Sequence, residues 1–428
     1  MSFTTTRGGH PVSLAAAVLR GLAPDGGLYV PEPLPRLAWP PPSEAVHGDD
    51  LRAISHWAAP ALFPSVDREA ISSVVQEALD FPVPLLEVEP GRWILELFHG
   101  PTHAFKDVGA RFMARLMSAL NGGRGAPRTV LVATSGDTGG AVASAFHRME
   151  GYRVVVLFPR GGISERQRRQ MTTLGGNVLA VAVEGTFDDC QRLAKEAFGD
   201  AALRELHGMT SANSINVARL LPQALYYLHA ASRLDSPWFV VPSGNLGNLC
   251  AGLLARRAGM SASGFTAATN ENDGFVSYLK GEDFRPRASV STTSSAMDVG
   301  DPSNLERIVW LYHGRHAEVR RAVRGVSVDQ TEVQRCISDL HERTGYVADP
   351  HTAVAYAASQ RHEVEREGPL VILATAHPSK FPDTVEEAIG RRVPLAPGLA
   401  AALSRSEDMV TMSAHLHDLT DLLAERCA

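Results

Sequence analysis

The sequence predicts an α/β protein built on a parallel sheet covered on both faces. Three observations carry that prediction. Short continuous runs of Val, Leu and Ile recur from Trp93 onward, helical patterns separate them, and the most glycine-rich polar stretches directly follow apolar runs. In such sheets ligands bind beyond the carboxyl ends of the strands. At 428 residues and 44% hydrophobic content, the chain is long enough for two domains or one large two-lobed unit.

Residues 1–90 read as a small N-terminal domain: a helical pattern from Val12 to Leu22, a turn at Ala23–Gly27 leading into a strand, an extended proline-rich connection from Pro31 to Pro42, and helices at Leu51–Leu62 and Asp67–Leu79. The next segment, 91–390, opens on the apolar run Trp93–Leu97 and carries the strand candidates Thr129–Ala133, Arg153–Phe158, Val178–Val183, Trp238–Val241, Phe265–Ala268 and Leu370–Ala374. The tail, 391–428, reads as further helices at Leu399–Leu403 and Leu416–Leu423.

A formal net charge of −6, spread evenly, gives a nucleic-acid or membrane-surface partner no electrostatic basis. The four cysteines (Cys190, Cys250, Cys336, Cys427) stand far apart, without metal-ligand spacing, and read as reduced thiols. No apolar run approaches the ~20 residues that span a bilayer, and the first residues lack a signal-peptide core. The expectation is a cytoplasmic protein without a metal.

Lys106 stands where a loop punctuated by Gly100-Pro101 enters a helical pattern, Val108 to Leu120. The positive end of the helix dipole and the neighbouring Phe105 ring both favour its neutral amine, which can form a Schiff base with an aldehyde. A solvated surface lysine is the alternative.

Three loops could seat anions. Thr134, Ser135 and Thr138 surround Gly136 and Asp137 between a strand and a helix, where small hydroxyls and free N–H groups suit a carboxylate; an ordinary capped turn is the other reading. Ser243-Gly244-Asn245-Leu246-Gly247-Asn248 opens another helix, and its glycines let backbone donors converge on a phosphate. Asn213, Ser214 and Arg219 are residue types that bind a second phosphate, or else an N-capped helix with a surface arginine. His351 and His377 could move protons but read better as capping or core histidines.

The stretch His99-Gly100-Pro101-Thr102-His103-Ala104-Phe105-Lys106-Asp107 resembles the cofactor-lysine motif of threonine synthases, with His103 where that family usually has leucine or tyrosine. The start of the chain, Gly21–Leu28, Ala296-Met297-Asp298-Val299-Gly300, Asp349-Pro350-His351-Thr352-Ala353 and Ala374-Thr375-Ala376-His377-Pro378-Ser379-Lys380-Phe381 resemble the same family, in its order. The resemblance implies the fold-type II architecture, tryptophan synthase β-like, with two lobes. It implies pyridoxal 5'-phosphate on Lys106, its phosphate in the cup Gly244, Asn245, Leu246, Gly247 and Asn248, its phenolic oxygen near Asp137 and its ring nitrogen at Thr375.

By the same resemblance the substrate, O-phospho-L-homoserine, has its carboxylate at Thr134, Ser135 and Thr138 and its phosphate at Asn213, Ser214 and Arg219. The implied reaction converts it, with water, to L-threonine and phosphate by β,γ-elimination and water addition. A monomer is expected, with a homodimer as the alternative. A phospho-lyase on the same scaffold and a non-catalytic binder of a phosphorylated metabolite are the competing readings.

Overall fold

In a computed structural model, which describes residues 1–121, 127–361 and 368–426, the apolar runs become the strands of two sheets. The larger has six strands in the spatial order Val323–Ser327, Gly264–Thr269, Trp238–Pro242, Leu370–Ala374, Arg92–Glu96 and Leu85–Glu89. All neighbours in it run parallel except the last pair. The smaller has five parallel strands: Val410–Ser413, Val178–Glu184, Tyr152–Pro159, Arg128–Ala133 and Thr210–Ser211. Every residue of Leu370–Ala374 is buried, as expected of a central strand with both faces covered.

All six expected strands of the 91–390 segment are present, and the apolar run at Trp93–Leu97 supplies a further one, Arg92–Glu96. The edge strands Val323–Ser327 and Val410–Ser413 were not expected, and the second corrects the reading of the tail as helices alone. Both are half-exposed and mix polar with apolar residues, so neither shows as an apolar run. The tail helices Pro397–Leu403 and Leu416–Arg426 are where the pattern put them.

The helices Leu51–Leu62 and Arg68–Ala78 share one core with the helix Lys106–Asn121. Phe63 stacks on Phe112 with ring centroids 5.1 Å apart, a contact worth about 0.5–1.5 kcal/mol beyond burial. The boundary expected near residue 90 falls at the turn of the antiparallel pair Leu85–Glu89 and Arg92–Glu96. The N-terminal segment and the segment that follows it are therefore continuous in packing.

Cys190, Cys250 and Cys336 are buried free thiols, each pushed up to about 12 by burial; Cys427 lies outside the described residues. Among the described residues no helix is long and apolar enough to cross a membrane.

Candidate active site

One cleft at the carboxyl ends of the strands is bordered by Lys106, Ser135, Asp137, Arg219, Gly244 and Thr375, among others. The segments singled out in the sequence converge there from both sheets. Phe105 N–H donates to the carbonyl of Thr375 at 2.9 Å, which ties the loop before Lys106 to the end of the central strand. Lys106 opens its helix rather than preceding it, and Asp107 fills the first turn. Asp107 is wholly buried and accepts from Thr102 N at 2.9 Å and Thr102 Oγ1 at 2.6 Å, so it closes the loop from within.

Lys106 borders the cleft along one side and is crowded by protein elsewhere, with Nζ 5.8 Å from the Phe105 ring centroid. Burial, reinforced by the Arg219 and Lys380 cations and opposed by the Asp137 carboxylate, lowers its ammonium to about 8. That is the direction needed for a nucleophilic amine. His103 stands in the left-handed region at φ 57 and is lowered to about 4 by burial and by Lys380.

The loop after Arg128–Ala133 is held by Thr134, whose Oγ1 accepts from Gly136 N and Gly139 N, both at 2.9 Å, and donates to Gly136 O at 3.1 Å. Its N–H is also committed, to Leu157 O. Thr134 therefore shapes the loop through its hydroxyl, and it borders the cleft together with Ser135 and Thr138. Gly136 takes φ 144, a conformation other residues adopt only under strain. Asp137 accepts from Gln167 Nε2 at 3.0 Å and pairs with Lys380 at 2.6 Å. Burial alone would raise its carboxyl, but Lys380, Lys106 and these hydrogen bonds outweigh burial and hold it below the ordinary carboxylate value.

The loop 243–248 is shaped for close approach. A Cβ on Gly244 would lie 2.7 Å from Met297 Cα, so only glycine fits, and Leu246 adopts the left-handed conformation at φ 57. Gly247 then opens the helix Gly247–Arg257. Asn248 Oδ1 accepts from Tyr226 Oη at 2.6 Å and Tyr227 Oη at 2.7 Å. This fixes the orientation of the carboxamide, whose buried Nδ2 has no hydrogen-bond partner among the described residues.

The third loop meets the other two. Asn213 Nδ2 donates to Ala133 O at 2.8 Å, and Ser214 Oγ accepts from Asn245 Nδ2 at 2.8 Å and Asn304 Nδ2 at 3.2 Å. Arg219 is buried, not a surface arginine; one guanidinium nitrogen donates to Ala212 O at 2.5 Å, while Nε is buried without a partner among the described residues. Burial lowers it to about 10, against the pull of Asp107.

Behind the loops, buried Arg307 donates to Tyr29 O, Ser214 O, Ile215 O and Asn304 Oδ1 and so ties the N-terminal strand Tyr29–Glu32 to the site. His351 Nδ1 meets Asp349 Oδ2 at 2.6 Å and its Nε2 accepts from Ala296 N at 3.1 Å; His377 accepts from Ser379 N. Both histidines hold backbone, as the capping reading expected.

Gln167, Tyr226, Tyr227, Arg307 and Lys380 were assigned no role from the sequence. Only Lys380 left a trace there, as a lone cation in an otherwise uncharged strand-end motif.

The unpartnered donor of Asn248, the glycine-only cup and a lysine leaning to its neutral form fit an aldehyde-bearing, dianionic cofactor. Fold and site define a pyridoxal-phosphate-dependent enzyme of fold-type II, and the family model described as "Pyridoxal-phosphate dependent enzyme" matches residues 81–376. Two narrower models, "Threonine synthase N terminus" and "Threonine synthase, C-terminal", match residues 2–43 and 352–422. Threonine synthase of Serratia marcescens is 40% identical over 396 residues, covering 91% of each chain. The crystal structure of the Escherichia coli threonine synthase superposes with a TM-score of 0.92 at 38% identity over 99% of this chain and 100% of that one. A pyridoxal-phosphate-bound threonine synthase from Brucella melitensis gives 0.91 at 34% identity over 99% of both. The chain belongs to the threonine synthase family. Its reaction is the last step of threonine biosynthesis, which turns O-phospho-L-homoserine and water into L-threonine and phosphate.

Proposed function

We propose that Lys106 holds the cofactor's aldehyde carbon and, once the substrate amine displaces it, moves protons at the substrate's α- and β-carbons. The observation that carries this is the convergence of Lys106, Thr375 and all three anion loops on one cleft. Pyridoxal phosphate, when bound, supplies the electron sink that lets those carbons lose protons. Gly244, Asn245, Leu246, Gly247 and Asn248 would hold its phosphate through backbone N–H groups and the free Asn248 Nδ2, with Thr375 at its ring nitrogen and Asp137 at its phenolic oxygen.

Ser135 and Thr138 would seat the substrate carboxylate in the loop that Thr134 shapes. Asn213, Ser214 and Arg219 would bind the substrate phosphate and stabilise its charge as it departs. Because Ser214 also accepts from Asn245, the two phosphate seats share a wall. A monomer is proposed as the working unit on the sequence reading, with a homodimer as the alternative. The placement in the cytoplasm, and the division at residues 90 and 390, are proposed on the sequence reading, with the packing continuous across residue 90.

Two measurements test the assignment. The purified protein should absorb in the visible, and Lys106→Ala should abolish that band. Incubation with O-phospho-L-homoserine should yield threonine; 2-ketobutyrate in its place would make the chain a phospho-lyase.

A further inference from the structure

Lys380 is fully buried, and its Nζ lies 2.6 Å from Asp137 Oδ1 and donates to Thr102 O at 2.9 Å. Its backbone is fixed on both sides. His377 caps the single turn Pro378–Lys380, and Arg166 donates to the carbonyl of Ser379. Thr102, in turn, donates twice to Asp107, the residue after Lys106. A buried lysine–carboxylate pair gains little stability, because desolvation offsets most of the attraction. Its position beside the cofactor lysine calls for another account.

The charged groups around Lys106 are Asp137, Lys380 and Arg219, with Asp107 facing Arg219 and His103 facing Lys380. Asp137 favours the ammonium form of Lys106, whereas Lys380 and Arg219 favour the neutral form. Arg219 is committed toward the third loop. Only Lys380 is bonded to Asp137 itself among these cations.

We propose that Lys380 is a positioning residue, which anchors the Asp137 carboxylate and cancels its pull on Lys106, so that Lys106 meets the cofactor's aldehyde as a neutral amine. This rests on the assignment of Lys106 as the cofactor lysine. It makes a lysine that never touches the substrate responsible for the pH range in which the enzyme charges itself with cofactor. Charge balance sets the direction: a carboxylate left without Lys380 would keep the Lys106 proton to higher pH.

The test follows the rate at which the full chain, freed of cofactor, gains visible absorbance on adding pyridoxal phosphate, from pH 6.5 to 10. Lys380→Met should move the midpoint up by about one pH unit or more. Asp137→Asn, which leaves Lys380 unpaired, should move it down, and the double variant should return it toward the parent. The acid limb of kcat/KM in the holoenzyme should shift with Lys380→Met in the same direction. A folded Lys380→Met, checked by circular dichroism, with its midpoint unmoved or lowered overturns the proposal. If that variant does not fold, an unmoved or raised midpoint in Asp137→Asn overturns it equally. Persistence of the visible band in Lys106→Ala would instead sink the assignment of Lys106, whatever the midpoints do.

Discussion

Asn245 donates its side-chain amide to Ser214 Oγ at 2.8 Å, so the loop proposed to close one phosphate seat is bolted to the loop proposed to form the other. Asn304 reinforces the joint by donating to Ser214 Oγ and to Asn245 O. Ser214→Ala removes the acceptor shared by both amides, at a cost of about 1 kcal/mol for each hydrogen bond lost. The expected outcome is a roughly five- to tenfold rise in the dissociation constant for pyridoxal phosphate together with a higher KM for O-phospho-L-homoserine. Equilibrium cofactor titration and steady-state kinetics check it. A change in KM alone would show the loops to be independent.

Arg219 tells the two proposed seats apart. Its unpartnered Nε and its place on the cleft wall suit the substrate phosphate, and none of its hydrogen bonds reaches the 243–248 loop. Arg219→Ala should therefore retain the visible band while KM rises roughly ten- to hundredfold, the loss of a charge-assisted contact of about 1.5–3 kcal/mol. Arg219→Lys keeps the charge without the fork and should fall between parent and Ala. Unchanged kinetics in the Ala variant would remove Arg219 from the substrate site.

Much of this fold is legible in the sequence because its central strands are buried on both faces. Val154–Phe158 and Leu370–Ala374 are unbroken apolar runs for that reason. Val410–Ser413, half-exposed at an edge, carries no such signal. In the site, Lys106, Gly244 and Thr375 are legible as residue types at strand ends and helix starts. Their supports are not. Tyr226 and Tyr227 read as core aromatics, and Lys380 as a lone cation, until tertiary contacts bring them to Asn248 and Asp137. Thr134 shows the converse: its hydroxyl suits a ligand by type, but the turn it closes consumes every bond it can make.

The tyrosine pair gives a graded prediction for the cofactor. Tyr226 and Tyr227 both donate to Asn248 Oδ1, which leaves Nδ2 as a fixed donor. Replacing either by Phe leaves one donor and should raise the dissociation constant for pyridoxal phosphate by about fivefold at most. The double Phe variant leaves a buried carboxamide free to turn and should lose more than the product of the two single effects. Affinities that remain at the parent value would show that Asn248 donates nothing to the cofactor.

Acid stability turns on a group outside the cleft. His229 on the helix Ala224–Ala231 is buried, with Nε2 3.0 Å from Val83 O, so that nitrogen carries the proton and donates. Burial and the nearby Arg233 lower it to about 4, against the carbonyl of Val83 and the carboxylates of Asp49 and Asp50. Between pH 6.5 and 4 the unfolded chain binds a proton at this ring that the folded chain refuses, so stability falls as pH falls through that window, by up to about 1.4 kcal/mol per pH unit. His103, also lowered to about 4, acts with the same sign. The paired carboxylates Glu89 and Glu407 start from 4.5 and are lowered further, so their losses come at lower pH. Urea midpoints between pH 6.5 and 5 therefore read the histidines together with the buried Asp107 and Asp298, whose raised carboxyls act with the opposite sign, and the contribution of His229 comes from comparing parent with variant. His229→Gln keeps an N–H for Val83 O but cannot titrate, and it should flatten the decline seen in the parent over that range. An equally steep decline in the variant would place the acid sensitivity elsewhere.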